Sequence, residues 1–322
     1  MKSSSWGSLA VVLLAALGLP RAATAASAWG ADYFPNSELT TQDGKVVHFY
    51  DDMLKGKAVA INLIYTRCTA NCPLETAKLA QVQKILKDRV GKDIFFISVS
   101  IDPKHDTPEA MKKYMQKFHV GPGWTFLTGK KEDLREISHK LGLSSMTDAA
   151  NRDGHQPSLM IGYEPTGSWM LNSAVDNPRF LAGVMTKFLD ESMRRQGVLA
   201  QQTAKDLAPK PVPTAADSDV HADPGQLAFI SKCSACHTLG AGDSVGPDLL
   251  NVVAQRDRVW LTNYMLEPDR MLAQRDPIAL SLFEKYKTVR MPNLGLSLEN
   301  VDQIIHYISK ESRAQTEHAS AR

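Results

Sequence analysis

Lys57-Ala58-Val59-Ala60-Ile61-Asn62-Leu63-Ile64-Tyr65-Thr66-Arg67-Cys68-Thr69-Ala70-Asn71-Cys72-Pro73 opens as a nearly unbroken apolar run and closes on two cysteines and a proline. The run 57–65 has the length and composition of a strand covered on both faces. Beyond it, Leu74 to Val90 carries Leu79, Val82 and Leu86 at helical spacing, and Pro73 suits the first helical turn, where no N–H is missed. The pattern predicts a strand that turns directly into a helix, with Cys68 and Cys72 at the junction. Free backbone N–H groups and the helix macrodipole favour a thiolate there, so the pair reads as reactive. Helical coiling over four residues brings both sulfurs to one side, within reach of a disulfide or of two thiolates on one soft metal ion. A plain structural disulfide is the alternative in an oxidising compartment.

The chain has only two further cysteines, and they form Cys233-Ser234-Ala235-Cys236-His237. Two thiols three positions apart with histidine directly after them is the pattern of covalent haem c attachment, each cysteine adding to one vinyl group and His237 becoming an axial ligand. A zinc site needs further ligands at finger-like spacing, and no second cysteine pair accompanies this one. Arg290-Met291-Pro292-Asn293 supplies a thioether for the other axial position. Met291 precedes the helix-like run Ser297 to Ser309, and Pro292 blocks a helix through it. Met265 and Met271, in helical-looking sequence, are the rival ligands.

Residues 223–312 resemble a small class I cytochrome c domain, on an amino-terminal helix (Gly225 to Ser234), the haem motif, Gly246-Pro247-Asp248-Leu249, the methionine segment and a carboxy-terminal helix. The resemblance implies that the Pro247 carbonyl accepts the ring N–H of His237. Residues 32–190 resemble the Sco (SenC) family of thioredoxin-like copper proteins associated with cytochrome c oxidase assembly. That likeness rests on Tyr33-Phe34-Pro35-Asn36, the hairpin Leu39 to Lys45, the Cys-x-x-x-Cys-Pro motif, and Ile97 to Pro103 running into Asp106-Thr107-Pro108-Glu109. It implies a third copper ligand after the second cysteine, a place His155 fits. Two thiolates and an imidazole suit Cu(I) and remain usable by Cu(II). Thr69-Ala70-Asn71 and the Gly154 and Gln156 neighbours of His155 depart from the proline, aspartate and Asp-His-Ser that many members carry. The expected fold is thus an α/β thioredoxin-like domain followed by an all-α cytochrome c domain.

At 322 residues the chain exceeds one hydrophobic core. The proline- and alanine-rich stretch 196–222 reads as a semi-rigid linker that holds two domains apart while letting them meet, dividing 26–195 from 223–313, with a polar tail at 314–322. Lys2, the apolar run Leu9 to Leu19, and Ala23-Thr24-Ala25 read as an export signal cleaved near Ala25. The run is short for a stable membrane span, which takes about 20 apolar residues. The 37 basic residues include Lys2 and Arg21, so cleavage leaves 35 against 35 acidic ones, a neutral balance that argues against a nucleic-acid partner.

These readings point to a periplasmic, copper-binding, haem-containing redox protein whose partner is a copper-accepting oxidase subunit or another periplasmic redox protein. The alternative is a thiol–disulfide oxidoreductase cycling Cys68 and Cys72. A dithiol moves two electrons where a haem moves one, and copper matches the one-electron step, which favours the copper-linked role.

Overall fold

The computed structural model describes residues 29–69, 71–144, 156–195, 223–286 and 289–320. The export signal, the linker 196–222 and His155 lie outside them. The first domain is built on a seven-stranded sheet: β1 (Glu38–Thr41), β2 (Val46–His48), β3 (Ala58–Ile64), β4 (Ile94–Ser100), β5 (Trp124–Thr128), β6 (Ser158–Tyr163) and β7 (Ser168–Ser173). Their order is β2-β1-β5-β4-β3-β6-β7. The central pairs β3–β4 and β4–β5 are parallel, and the pairs outside them are antiparallel.

All seven residues of β3 are buried, because both faces of the sheet are covered. Ala58, Ala60 and Ile64 point into one core with α1 (Asn71–Leu86), α2 (Pro108–Lys117) and α4 (Pro178–Arg195). Val59, Ile61 and Leu63 point into the other, with the helical turn Phe49–Leu54 and α3 (Lys131–Lys140). The strand and the helix after it are the elements expected from the sequence. The helix starts three residues early, at Asn71, and yields to a short 3-10 turn at Lys87–Arg89.

The second domain is helical: α5 (Pro224–Lys232), α6 (Val252–Gln255), α7 (Arg258–Leu266), α8 (Pro268–Ala273), α9 (Pro277–Lys285) and α10 (Leu298–Ser320). Asp223 caps α5 by accepting from the Gly225 and Gln226 N–H groups. The crossing of α5 and α10 depends on a missing side chain, since a Cβ on Gly225 would lie 2.0 Å from the Gln303 carbonyl oxygen. Phe229 and Tyr307 pack beside the crossing, ring centroids 5.6 Å apart. The expected tail at 314–322 is not a separate segment, for α10 runs on to Ser320. Gln315 on that extension donates to the Leu239 carbonyl, tying the helix to the loop after the haem motif.

The two domains meet along α1. Gln81 donates through Nε2 to the Ser234 carbonyl at 2.6 Å. Val245 joins the core cluster that contains α1, with Ala235, Cys236 and Val289 packed against it. No helix among the described residues is long and apolar enough to cross a membrane.

Candidate metal and haem centres

β3 delivers the chain to Tyr65 at the end of the sheet where its parallel neighbour β4 also finishes, with Ile64 opposite Ser100. The turn that follows is fixed by Asp106, whose carboxylate accepts from the Thr66 N–H (2.9 Å), the Thr66 hydroxyl (2.7 Å) and the Ser100 hydroxyl (2.5 Å). Asp106 is fully buried, and burial raises its pKa against the opposing pull of these donors. It clamps the residues just ahead of Cys68. The sequence offered Asp106 only as part of a loop motif, because the contact bridges forty positions.

Cys68 and Cys72 are buried, grouped with Tyr65 and flanked by Ile101. The Cys72 N–H, in the first turn of α1, points at Cys68 Sγ at 3.4 Å. The two sulfurs are therefore brought to one place as expected, but not with the expected ionisation. The Cys72 thiol is pushed well up, first by burial and then by the adjacent Cys68. A helix N-terminus stabilises a thiolate chiefly where solvent also reaches it; here desolvation outweighs the dipole. Burial thus favours the neutral thiol at Cys72, and deprotonation has to accompany metal capture. Among the described residues no cluster of three histidine, cysteine or acidic side chains forms a metal site. His155, the third donor expected from the resemblance, lies outside the described residues.

In the second domain Cys233, Cys236, His237 and Met291 all line one cavity of about 680 Å³, large and apolar enough for a macrocycle. His237 Nδ1 donates to the Pro247 carbonyl at 2.8 Å, the contact the resemblance implied. Its surroundings lower its pKa through desolvation, which keeps the imidazole neutral and leaves Nε2 as a donor for a metal. A Cβ on Gly246 would stand 2.7 Å from the ring, so the chain approaches the histidine as closely as glycine allows. Burial raises both cysteine thiols to about 12. These residues fit a covalently held haem: two cysteines at the rim, an oriented imidazole and a thioether.

Met291 lies in the irregular segment 289–297, as Pro292 required. Met265 reaches the same cavity but is buried in α7 within the domain core, and Met271 is not among the cavity residues. The cavity lining also holds a cluster that the sequence did not announce. Asp243 accepts from the Tyr286 hydroxyl (2.6 Å), the Lys285 ammonium (2.9 Å) and the Asp248 N–H (3.0 Å). These contacts, Tyr286 foremost, hold its pKa down to about 2. Asp248 in turn accepts from the N–H groups of Gly240 and Gly242, so a short acidic ladder ties the loop after His237 to α9.

The comparisons with known proteins also fall into two parts. Residues 25–159 match the SCO1/SenC family model, and residues 222–312 match the cytochrome c family model. The chain joins a SCO1/SenC domain to a cytochrome c domain. Over 127 residues it is 36% identical to a SCO2-like protein of Rickettsia conorii, covering 39% of this chain and 58% of that protein. Over 101 residues it is 36% identical to a SCO1 homologue of Bacillus subtilis, covering 31% and 51%. The chain thus spans a little over half the length of these curated relatives. Among solved structures, a SCO1/SenC family lipoprotein of Bacillus anthracis aligns with a TM-score of 0.41 at 29% identity, over 48% of this chain and 94% of that one. ScoI of Bradyrhizobium japonicum, solved with copper bound, aligns with a TM-score of 0.39 at 24% identity, over 47% and 96%. The cytochrome c domain implies haem.

Proposed function

We propose that this is an exported, periplasmic redox protein in which Cys68, Cys72 and His155 hold copper, Cys233 and Cys236 hold haem c, and the pair serves assembly of the copper centre of a haem-copper oxidase. The observation that carries this reading is a shared cavity: Thr69 and Asn71 of the dithiol loop, with Leu74, line the same space as Cys236, His237 and Met291. Haem supplies a one-electron couple when bound. The chain's own residues set the conditions around it: His237 and Met291 offer one donor each from separate segments, Pro247 fixes the imidazole tautomer, and the Asp243 ladder holds the loop after His237 to α9.

On the Sco side, Cys68 and Cys72 offer two soft donors on a turn that Asp106 immobilises. β6 sets Leu159 opposite Asn62 of β3, so it begins at the sheet end where β3 releases the dithiol loop. In the sequence His155 precedes Ser158, the first residue of β6, by only Gln156 and Pro157. The neutral thiol of Cys72 makes copper uptake proton-coupled, so acid releases the metal.

The test is anaerobic copper titration of the reduced wild type and of His155→Ala. We expect the variant to bind copper about 10- to 100-fold more weakly, to keep a reducible Cys68–Cys72 disulfide, and to lose oxidase copper loading. Unaltered copper affinity would remove His155 from the site. The contact between the Cys72 N–H and Cys68 Sγ also suits a second reading, thiol–disulfide exchange with a protein partner. Full biological activity in a variant that no longer binds copper would select that reading.

A further inference from the structure

Helix α1 turns Leu74, Lys78, Gln81 and Ile85 outward at the spacing of a single stripe. A helix resting on one sheet and one neighbouring helix leaves such a stripe in water. Here only its far end is open: Ile85 is 43% exposed, whereas every residue from Glu75 to Ala80 is buried, Lys78 at 4%. Lys78 bonds within its own domain, to the carbonyls of Val175 and Asp176, while Lys232 and Cys236 stand near enough to act on its charge. Next along the stripe, Gln81 donates to the Ser234 carbonyl, between the two haem-attachment cysteines. Val245, two residues before Pro247, is buried against the cluster that includes α1.

We propose that the outward stripe of α1 is a docking surface for the chain's own haem-attachment segment. It seats Ser234 to Cys236 against the dithiol helix and withholds that edge of the cytochrome domain from outside proteins while docked. The occupant is the second domain of the same chain, because Ser234 accepts from Gln81 while Ala235, Cys236 and Val245 pack against the cluster that includes α1. The contact is built to release. It includes the Gln81–Ser234 hydrogen bond and a small apolar patch, and burial, then the like charge of nearby Lys232, lowers the Lys78 pKa. The proposal goes beyond copper binding and stands independently of it.

The test uses the full-length haem-loaded protein, with hydroxyl-radical footprinting of Leu74 and Val245 and small-angle scattering. Two variants have opposite expected signs. Gln81→Ala leaves the Ser234 carbonyl without its donor in the docked state and raises oxidation of Leu74 and Val245 several-fold. Lys232→Glu replaces repulsion with attraction toward Lys78 and lowers it, an effect that fades with added salt. Haem content and copper titration of each variant report separately on the two centres. Docking is refuted if wild-type scattering is that of two separated domains, or if at equal haem content the two variants shift the oxidation in the same direction or leave it unchanged, since both probes also line the haem cavity. Either result leaves the copper and haem assignments standing.

Discussion

Gly246→Ala tests the geometry of the haem ligand directly. The new methyl carbon would stand 2.7 Å from His237 Cε1, 3.0 Å from Nδ1 and 3.3 Å from Nε2, against ordinary contacts that begin at 3.4 Å. Something must move by about 0.7 Å. The ring has little freedom to do so, since its Nδ1 is held by the Pro247 carbonyl at 2.8 Å and the Gly246 N–H is itself bonded to the Cys236 carbonyl at 2.8 Å. Gly246 has no left-handed backbone to lose, so the steric term acts alone. Overpacking of this kind costs about 1–3 kcal/mol. For a domain of this size each kcal/mol moves the midpoint by roughly 4–8 °C, so the haem domain should melt about 5–20 °C lower, read from the Soret band, with the Sco-domain transition unmoved. The ferric spectrum should show weakened histidine ligation with the haem still covalently attached. An unchanged midpoint and spectrum would mean that His237 does not stand where the Pro247 contact places it.

Asp106→Ala removes the acceptor of three donors, two on Thr66 and one on Ser100, and should lower Sco-domain stability by about 2–4 kcal/mol in urea unfolding while speeding thiol alkylation; Asp106→Asn, which keeps an acceptor for Thr66, should lose less. Asp243 has a folded pKa of about 2, below its ordinary 3.8, so its stabilisation is present above the unfolded value and is lost as pH falls from about 4 toward 2. The stability gap between wild type and Asp243→Asn should close over that window and be constant at neutral pH; a gap that widens in acid would refute the ladder. Met291→Ala should leave haem attached and abolish the sulfur-to-iron charge-transfer band of the ferric form. Met265→Ala should instead destabilise the domain by about 2–5 kcal/mol through a core cavity and keep the band.

The sequence by itself determined the local chemistry. The strand–cysteine–helix junction at 57–90 and the haem motif at 233–237 are written in consecutive residues, because a buried strand, a helix start and a paired thiol each announce themselves over a few positions. The division into an α/β and an all-α domain followed from the same segments. Tertiary structure decided what depends on residues distant in the chain. It set the ionisation of Cys72, where burial overrode the helix dipole that local reading had trusted. It revealed the Asp106 clamp and the Asp243 ladder, whose partners lie about forty positions away. It placed Met291 and Met265 on one cavity but on different kinds of backbone, a distinction spacing could not draw. It also brought Gln81 to Ser234 across 153 positions. Desolvation and long-range hydrogen bonding are properties of the packed chain, and no window of sequence contains them.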